Sequence, residues 1–126
     1  MRSYHILIGE RDPFMQRTIR HTLEAVAGYQ ITFHEDGERL VNHVQDTLPD
    51  LVITEALLPG MDGFRVCQTL KENQATRHIP VIIFTWLMAE QRAIQAGADA
   101  FIIKPLDTPA FLATIQQLIS QGERLS

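Results

Sequence analysis

The sequence predicts a single α/β domain in which a parallel five-stranded sheet is covered by helices on both faces, a (βα)5 three-layer sandwich. Three observations lead there. Five short runs, mostly apolar and rich in β-branched residues, recur along the 126-residue chain and are too short for helices. Segments with helical spacing of apolar residues separate them. The connections are short, and strict alternation with right-handed crossovers gives one parallel sheet between two helical layers. At this size about two-thirds of the unfolded chain's surface can be buried, so the core needs no disulfide or metal staple. The single Cys67 could form no internal bridge in any case.

The first strand is HILI at 5–8. Its helix opens at Asp12-Pro13, an N-cap followed by proline at the first helical position, and carries Met15, Ile19, Leu23 and Val26 as one stripe until Gly28. Tyr29 to Phe33 alternates like an edge strand, and the helix after it shows Leu40, Val44 and Leu48. LVI at 51–53 is the third strand, followed by a PGMDG turn at 59–63 and a stripe of Phe64, Cys67 and Leu70. VIIF at 81–84 precedes a short fourth helix with Leu87 and Ile94, closed by Gly97. FII at 101–103 completes the sheet, and Thr108-Pro109 repeats the start signal for a helix with Phe111, Ile115 and Leu118. The four runs outside the edge strand read as buried on both faces. Residues 121–126 read as a fraying tail of the one domain, 1–126.

Composition narrows the function. With 11 basic and 15 acidic residues the net charge is −4, which leaves no electrostatic footprint for holding nucleic acid directly. No apolar run approaches the roughly 20 residues of a membrane span, and the opening MRSYH passes into a strand without a signal-peptide core, so a cytoplasmic protein is expected. His5, His21, His34, His43 and His78 are dispersed without zinc-ligand spacing and read as surface or strand-end residues. Cys67 reads as a small buried hydrophobe. No Walker pattern, GxGxxG or nucleophile elbow is present, so no catalytic residue is assigned and the chain is not expected to be an enzyme.

In open parallel sheets ligands bind beyond the carboxyl ends of the strands, where strand order reverses. That rule selects Glu10, Arg11 and Asp12 after the first strand, Glu55 after the third, Thr85 after the fourth and Lys104 after the fifth. Four strands thus deliver charged and hydroxyl side chains to one crevice.

The segments ILIGERDP at 6–13, PDLVITEALLPGMDGF at 49–64, IPVIIFT at 79–85 and AGADAFIIKP at 96–105, in this order, resemble the response-regulator receiver domain family of two-component phosphorelay signalling over nearly the whole chain. The resemblance implies a flavodoxin-like fold with strand order 2-1-3-4-5. It also implies protein partners, a histidine kinase or a downstream signalling protein, and it specifies no oligomeric state. In the family an aspartate after strand three takes a phosphoryl group, and two acidic residues after strand one help hold Mg²⁺. A Thr or Ser after strand four and a Lys after strand five contact the phosphoryl oxygens, and an aromatic in strand five changes rotamer with the Thr. Thr85, Lys104 and Phe101 match those last roles; Phe101 also reads simply as a core aromatic.

The departures carry the functional reading. Glu55 stands at the phosphoacceptor position and Arg11 at the second acidic position, while Asp12 falls one place late and is better used as a helix cap. Glu55 is longer than Asp by roughly 1.5 Å, whereas Mg²⁺ tolerates little error in its octahedral shell. A guanidinium about 4 Å from a cation is repelled by roughly 4 kcal/mol per unit charge at an effective dielectric of 20. No cofactor is therefore expected and Mg²⁺ binding is expected to be weak or absent, with Arg11 and Lys104 neutralising Glu10 and Glu55 in a metal-free ion-pair cluster. Trp86 follows Thr85 where the family has a small residue; its indole covers the site, packs on the fourth helix or lies in solvent. The stretch from Thr85 to Gly97 is about three residues shorter than is typical of the family, which trims the fourth helix. Two other readings stand beside this pseudo-receiver. One is a working phosphoacceptor using Asp12 or another acid in a rearranged acidic site, and the other a nucleotide- or flavin-binding domain, disfavoured because Glu10-Arg11-Asp12-Pro13 lacks the small residues and amides a phosphate needs.

Overall fold

The computed structural model describes residues 2–26 and 28–125. Five strands, β1 (Tyr4–Gly9), β2 (Tyr29–His34), β3 (Leu51–Thr54), β4 (Val81–Thr85) and β5 (Ala100–Ile103), alternate with α1 (Pro13–Glu24), α2 (Gly37–Thr47), α3 (Gly63–Glu72), α4 (Glu90–Gln95) and α5 (Thr108–Leu125). All strand pairs are parallel, in the order β2-β1-β3-β4-β5, as a doubly wound sheet requires.

Side-chain alternation along the strands separates two cores. Leu7, Val52, Val81 and Ile83 point toward α2, α3 and α4, where Leu40, Val44, Val66, Cys67 and Leu70 close over them. Ile6, Ile8, Leu51, Ile53, Ile82 and Phe84 face α1 and α5, against Met15, Ile19, Leu23, Phe111 and Ile115. The central strands β3 and β4 are wholly buried. β2 is half-buried as an edge should be, and β5 forms the opposite edge with Ile103 exposed at 41%, so the fifth run is not buried on both faces.

Two glycines leave room for close packing where the site is built. A side chain at Gly9 would strike Leu58, Leu40 and the Thr54 hydroxyl, and one at Gly63 would strike the backbone of Glu55 and Ala56. Gly63 N–H donates to Ala56 C=O at 2.8 Å, which pins the start of α3 beside the end of β3.

Several boundaries differ from the sequence reading. α1 stops at Glu24 with Ala25 as its C-cap, so Val26 lies beyond it. Leu48 is the left-handed C-cap of α2 at φ 49° and is exposed, and Val41 takes its place in the buried stripe. α4 has six residues and buries only Ala93, leaving Ile94 outside. Thr108 and Pro109 lie inside the first turn of α5, whose first backbone bond runs from Phe111 N–H to Asp107 C=O. α5 runs through Leu125, and within its last turns Glu123 accepts hydrogen bonds from Tyr4 Oη and Arg2 Nη1. Ser126 lies outside the described residues.

Candidate functional site

β1 and β3 are neighbours at the middle of the sheet, and their carboxyl ends place Glu10 and Glu55 side by side. Glu55 N–H donates to Gly9 C=O at 2.8 Å, so the backbone itself sets the two carboxylates in register. Lys104 arrives from the end of β5, its N–H bonded to Thr85 C=O at 2.9 Å and followed by a cis peptide to Pro105. Its Nζ donates to Glu10 Oε1 at 2.7 Å and to Glu55 Oε1 at 2.9 Å. All three side chains are less than a tenth exposed.

The remaining oxygens are also satisfied. Leu57 N–H donates to Glu55 Oε2 at 3.0 Å and Asp12 N–H to Glu10 Oε2 at 3.2 Å. Lys104 Nζ also lies 5.4 Å from the centroid of the Phe84 ring, within range of a cation–π attraction. Burial pushes the Glu55 carboxyl up, but the Thr85 hydroxyl, the Leu57 amide and the Lys104 ammonium together outweigh it and hold Glu55 below the usual carboxylate range. Two formal negative charges thus share one ammonium, and oriented amides carry the rest.

Arg11 is not part of this cluster. It is exposed, and among the described residues it makes no ion pair. Asp12, with Phe14 N–H donating to its Oδ1 at 3.2 Å, serves as the N-cap of α1 and begins the turn that carries Arg11 outward. The expected two-cation neutralisation is therefore carried by Lys104 alone. Trp86 is 61% exposed, so of the three readings of its indole, solvent is the one observed for most of its surface. Thr85 is fully buried and its Oγ1 accepts from Leu87 N–H at 3.3 Å. Phe101 is half-buried against the α3 and α4 side of the sheet, beside Met88, Glu90 and Ile103. Neither the Leu57 amide nor Phe84 was among the site groups read from the sequence. Neither had a signal there, because an amide donor has no side-chain signature and Phe84 looks like any core strand residue.

The groups present do not fit Mg²⁺. A hard divalent ion needs several oxygens in a near-octahedral shell, whereas both inward carboxylates here already accept from the same ammonium and Arg11 supplies no oxygen. Among the described residues no cluster of three or more His, Cys, Asp or Glu side chains is arranged to hold a metal ion, and no helix is long and apolar enough to cross a membrane.

A doubly wound sheet with a buried acid–lysine cluster beyond its carboxyl edge places the candidate site where open α/β folds bind their ligands. Residues 6–116 match the response regulator receiver domain. The chain is 35% identical over 123 residues to the DNA-binding dual master transcriptional regulator RpaA of Synechocystis, covering 95% of this chain and 51% of that protein. It is 31% identical over 120 residues to the polar-differentiation response regulator DivK of Brucella ovis, covering 93% of this chain and 97% of that one. Among solved structures, the signal receiver domain of a histidine kinase from Syntrophus aciditrophicus superposes with a TM-score of 0.86 at 35% identity, over 94% of this chain and 92% of that one. The chain belongs to the response regulator receiver domain family. It spans about half the length of RpaA, whereas it matches nearly all of DivK.

Proposed function

We propose that this chain is a pseudo-receiver, a cytoplasmic signalling module that works through contacts with a histidine kinase or a downstream protein and is not phosphorylated on an aspartate. The observation that carries the reading is the single Lys104 ammonium bonded to both Glu10 and Glu55. In this reading Glu55 holds the place of the phosphoacceptor, Glu10, Arg11 and Asp12 hold the acidic-pocket positions, Thr85 and Lys104 hold the phosphoryl-contact positions, and Phe101 is the switch aromatic. To be phosphorylated, a carboxylate oxygen must attack the donor's phosphorus, and Glu55 carries its oxygens one methylene beyond the aspartate position with both already accepting, from Lys104 Nζ and Leu57 N–H. Phosphoryl transfer rests on positioning and on electrostatic stabilisation by metal and donors, and here the pocket's carboxylate oxygens are engaged by Lys104 Nζ and backbone amides while Arg11 supplies none. Asp12 is a weak substitute acceptor because its carboxylate caps α1.

The test is incubation with Mg²⁺ and acetyl phosphate followed by intact-mass measurement. No phosphoryl adduct is expected. A hydroxylamine-sensitive gain of one phosphoryl group would overturn the reading in favour of the rearranged acidic site. Melting in the same buffers should show no specific Mg²⁺ shift, although a ligand at a hundred times its dissociation constant stabilises by about 2.7 kcal/mol.

A further inference from the structure

We propose that His34 and His43 form a proton-sensitive latch that holds α2 against the β1–β2 edge of the sheet at neutral pH and releases it in mild acid. The two residues are unremarkable in the sequence, but the fold brings them together. His34 ends β2, His43 sits in the middle of α2, and His34 Nε2 lies 2.7 Å from His43 Nδ1. The rings meet edge to face with centroids 4.9 Å apart. A third imidazole, His5 on β1, stands 6.0 Å from His43 in the same orientation, and its Nε2 is bonded to the Thr32 hydroxyl at 3.1 Å. Three elements therefore meet through three ring side chains, beside the aliphatic contacts of Leu40, Val41 and Val44.

A nitrogen-to-nitrogen contact of this kind needs one N–H and one lone pair. It forms when both rings are neutral or when one carries an extra proton. It cannot form when both rings are protonated, because two N–H groups would then face each other and two positive charges would adjoin.

The surroundings favour the neutral forms. Burial lowers the affinity of His34 for a proton, and His43 and then Arg39 lower it further. Burial and His43 lower that of His5, with Asp50, which accepts from the His5 N–H, acting in the opposite sense. Of the other charged groups on this segment, Asp36 caps α2, while Glu35, Glu38 and Asp46 are exposed. For a histidine whose proton affinity is depressed on folding, the unfolded chain binds protons first as pH falls. The His34 contribution to stability is thus complete above about pH 6.5 and declines below it, and the latch itself opens when the second of the two rings takes up its proton.

The experiment follows the imidazole resonances of the intact chain by NMR from about pH 7.5 to about pH 5, across the histidine range, together with amide exchange in α2 corrected for its intrinsic pH dependence. His34 is expected to titrate below the ordinary histidine range, and the opening equilibrium of α2 to rise by about tenfold per pH unit for each proton taken up. His43→Gln and His34→Gln, whose amides neither gain nor lose protons here, are expected to remove that slope. If both variants fail to fold, the titration of the unsubstituted chain decides. Independent titration of the two rings near the free-imidazole value, or a slope in α2 exchange that survives either substitution, would overturn the proposal.

Discussion

The two sides of the carboxyl edge of the sheet are held in different ways. At its centre, Glu10, Glu55 and Lys104 are buried and fully bonded, and the nearby helices α1, α2 and α3 each begin with an aspartate whose side chain accepts backbone N–H groups, at Asp12, Asp36 and Asp62. At the β4–β5 margin, α4 is six residues long, begins at Ala89 without a side-chain cap and buries one side chain. Met88 and Ile94 there are 91% and 65% exposed. Isolated helices this short have little stability of their own, so α4 persists through its few tertiary contacts and through the turn at Gly97, whose N–H bonds Ile94 C=O. The difference separates a rigid centre from a margin able to rearrange at low cost, since local opening follows contact density and exposed backbone bonds.

Substitutions should expose that contrast. Lys104→Ala strands two buried carboxylates and is expected to destabilise by about 3–5 kcal/mol in urea unfolding, the range for breaking a buried ion pair. Adding Glu10→Gln and Glu55→Gln to Lys104→Met should restore much of the loss; if it does not, packing rather than charge dominates the cluster. Acid should act on the same centre. Glu55 is held below its ordinary range, so the stability it contributes is complete above about pH 4.3 and is lost as pH falls through its lower folded value. Glu55→Gln should flatten that part of the stability-versus-pH curve, and an unchanged slope would assign it to other carboxylates. Smaller again is Asp62→Ala, which removes the bond from Arg65 N–H at 2.9 Å and should lower stability by about 1 kcal/mol. Least of all, Ile94→Ala at the margin should change stability by less than about 0.5 kcal/mol. A loss at position 94 comparable with that at position 62 would mean that α4 is more firmly built than its exposure indicates.

Much of the candidate site could be read from the chain because it follows from strand ends. Glu10, Glu55, Thr85 and Lys104 each stand one residue past a strand or at its last position, and parallel pairing does the rest. Arg11 shows where such reading stops. It is adjacent to Glu10 in sequence, but the backbone turns outward to begin α1, and the extended cap at Asp12 sends the guanidinium to solvent. The histidines show the opposite case, since separations of 29 and 9 residues gave no hint that His5, His34 and His43 would pack together.

By itself the amino-acid order determined the alternation of strands and helices, the cap at Asp12, the turn at 59–63 and the set of residues delivered to the carboxyl edge, because those depend on local periodicity and on hydrogen bonds within a few residues. Tertiary structure alone decided which cation neutralises the pocket, that the last turn of α5 is tied to Arg2 and Tyr4, and that α2 meets β2 through two imidazoles. Those outcomes depend on distances between segments far apart in the chain, which no local pattern encodes.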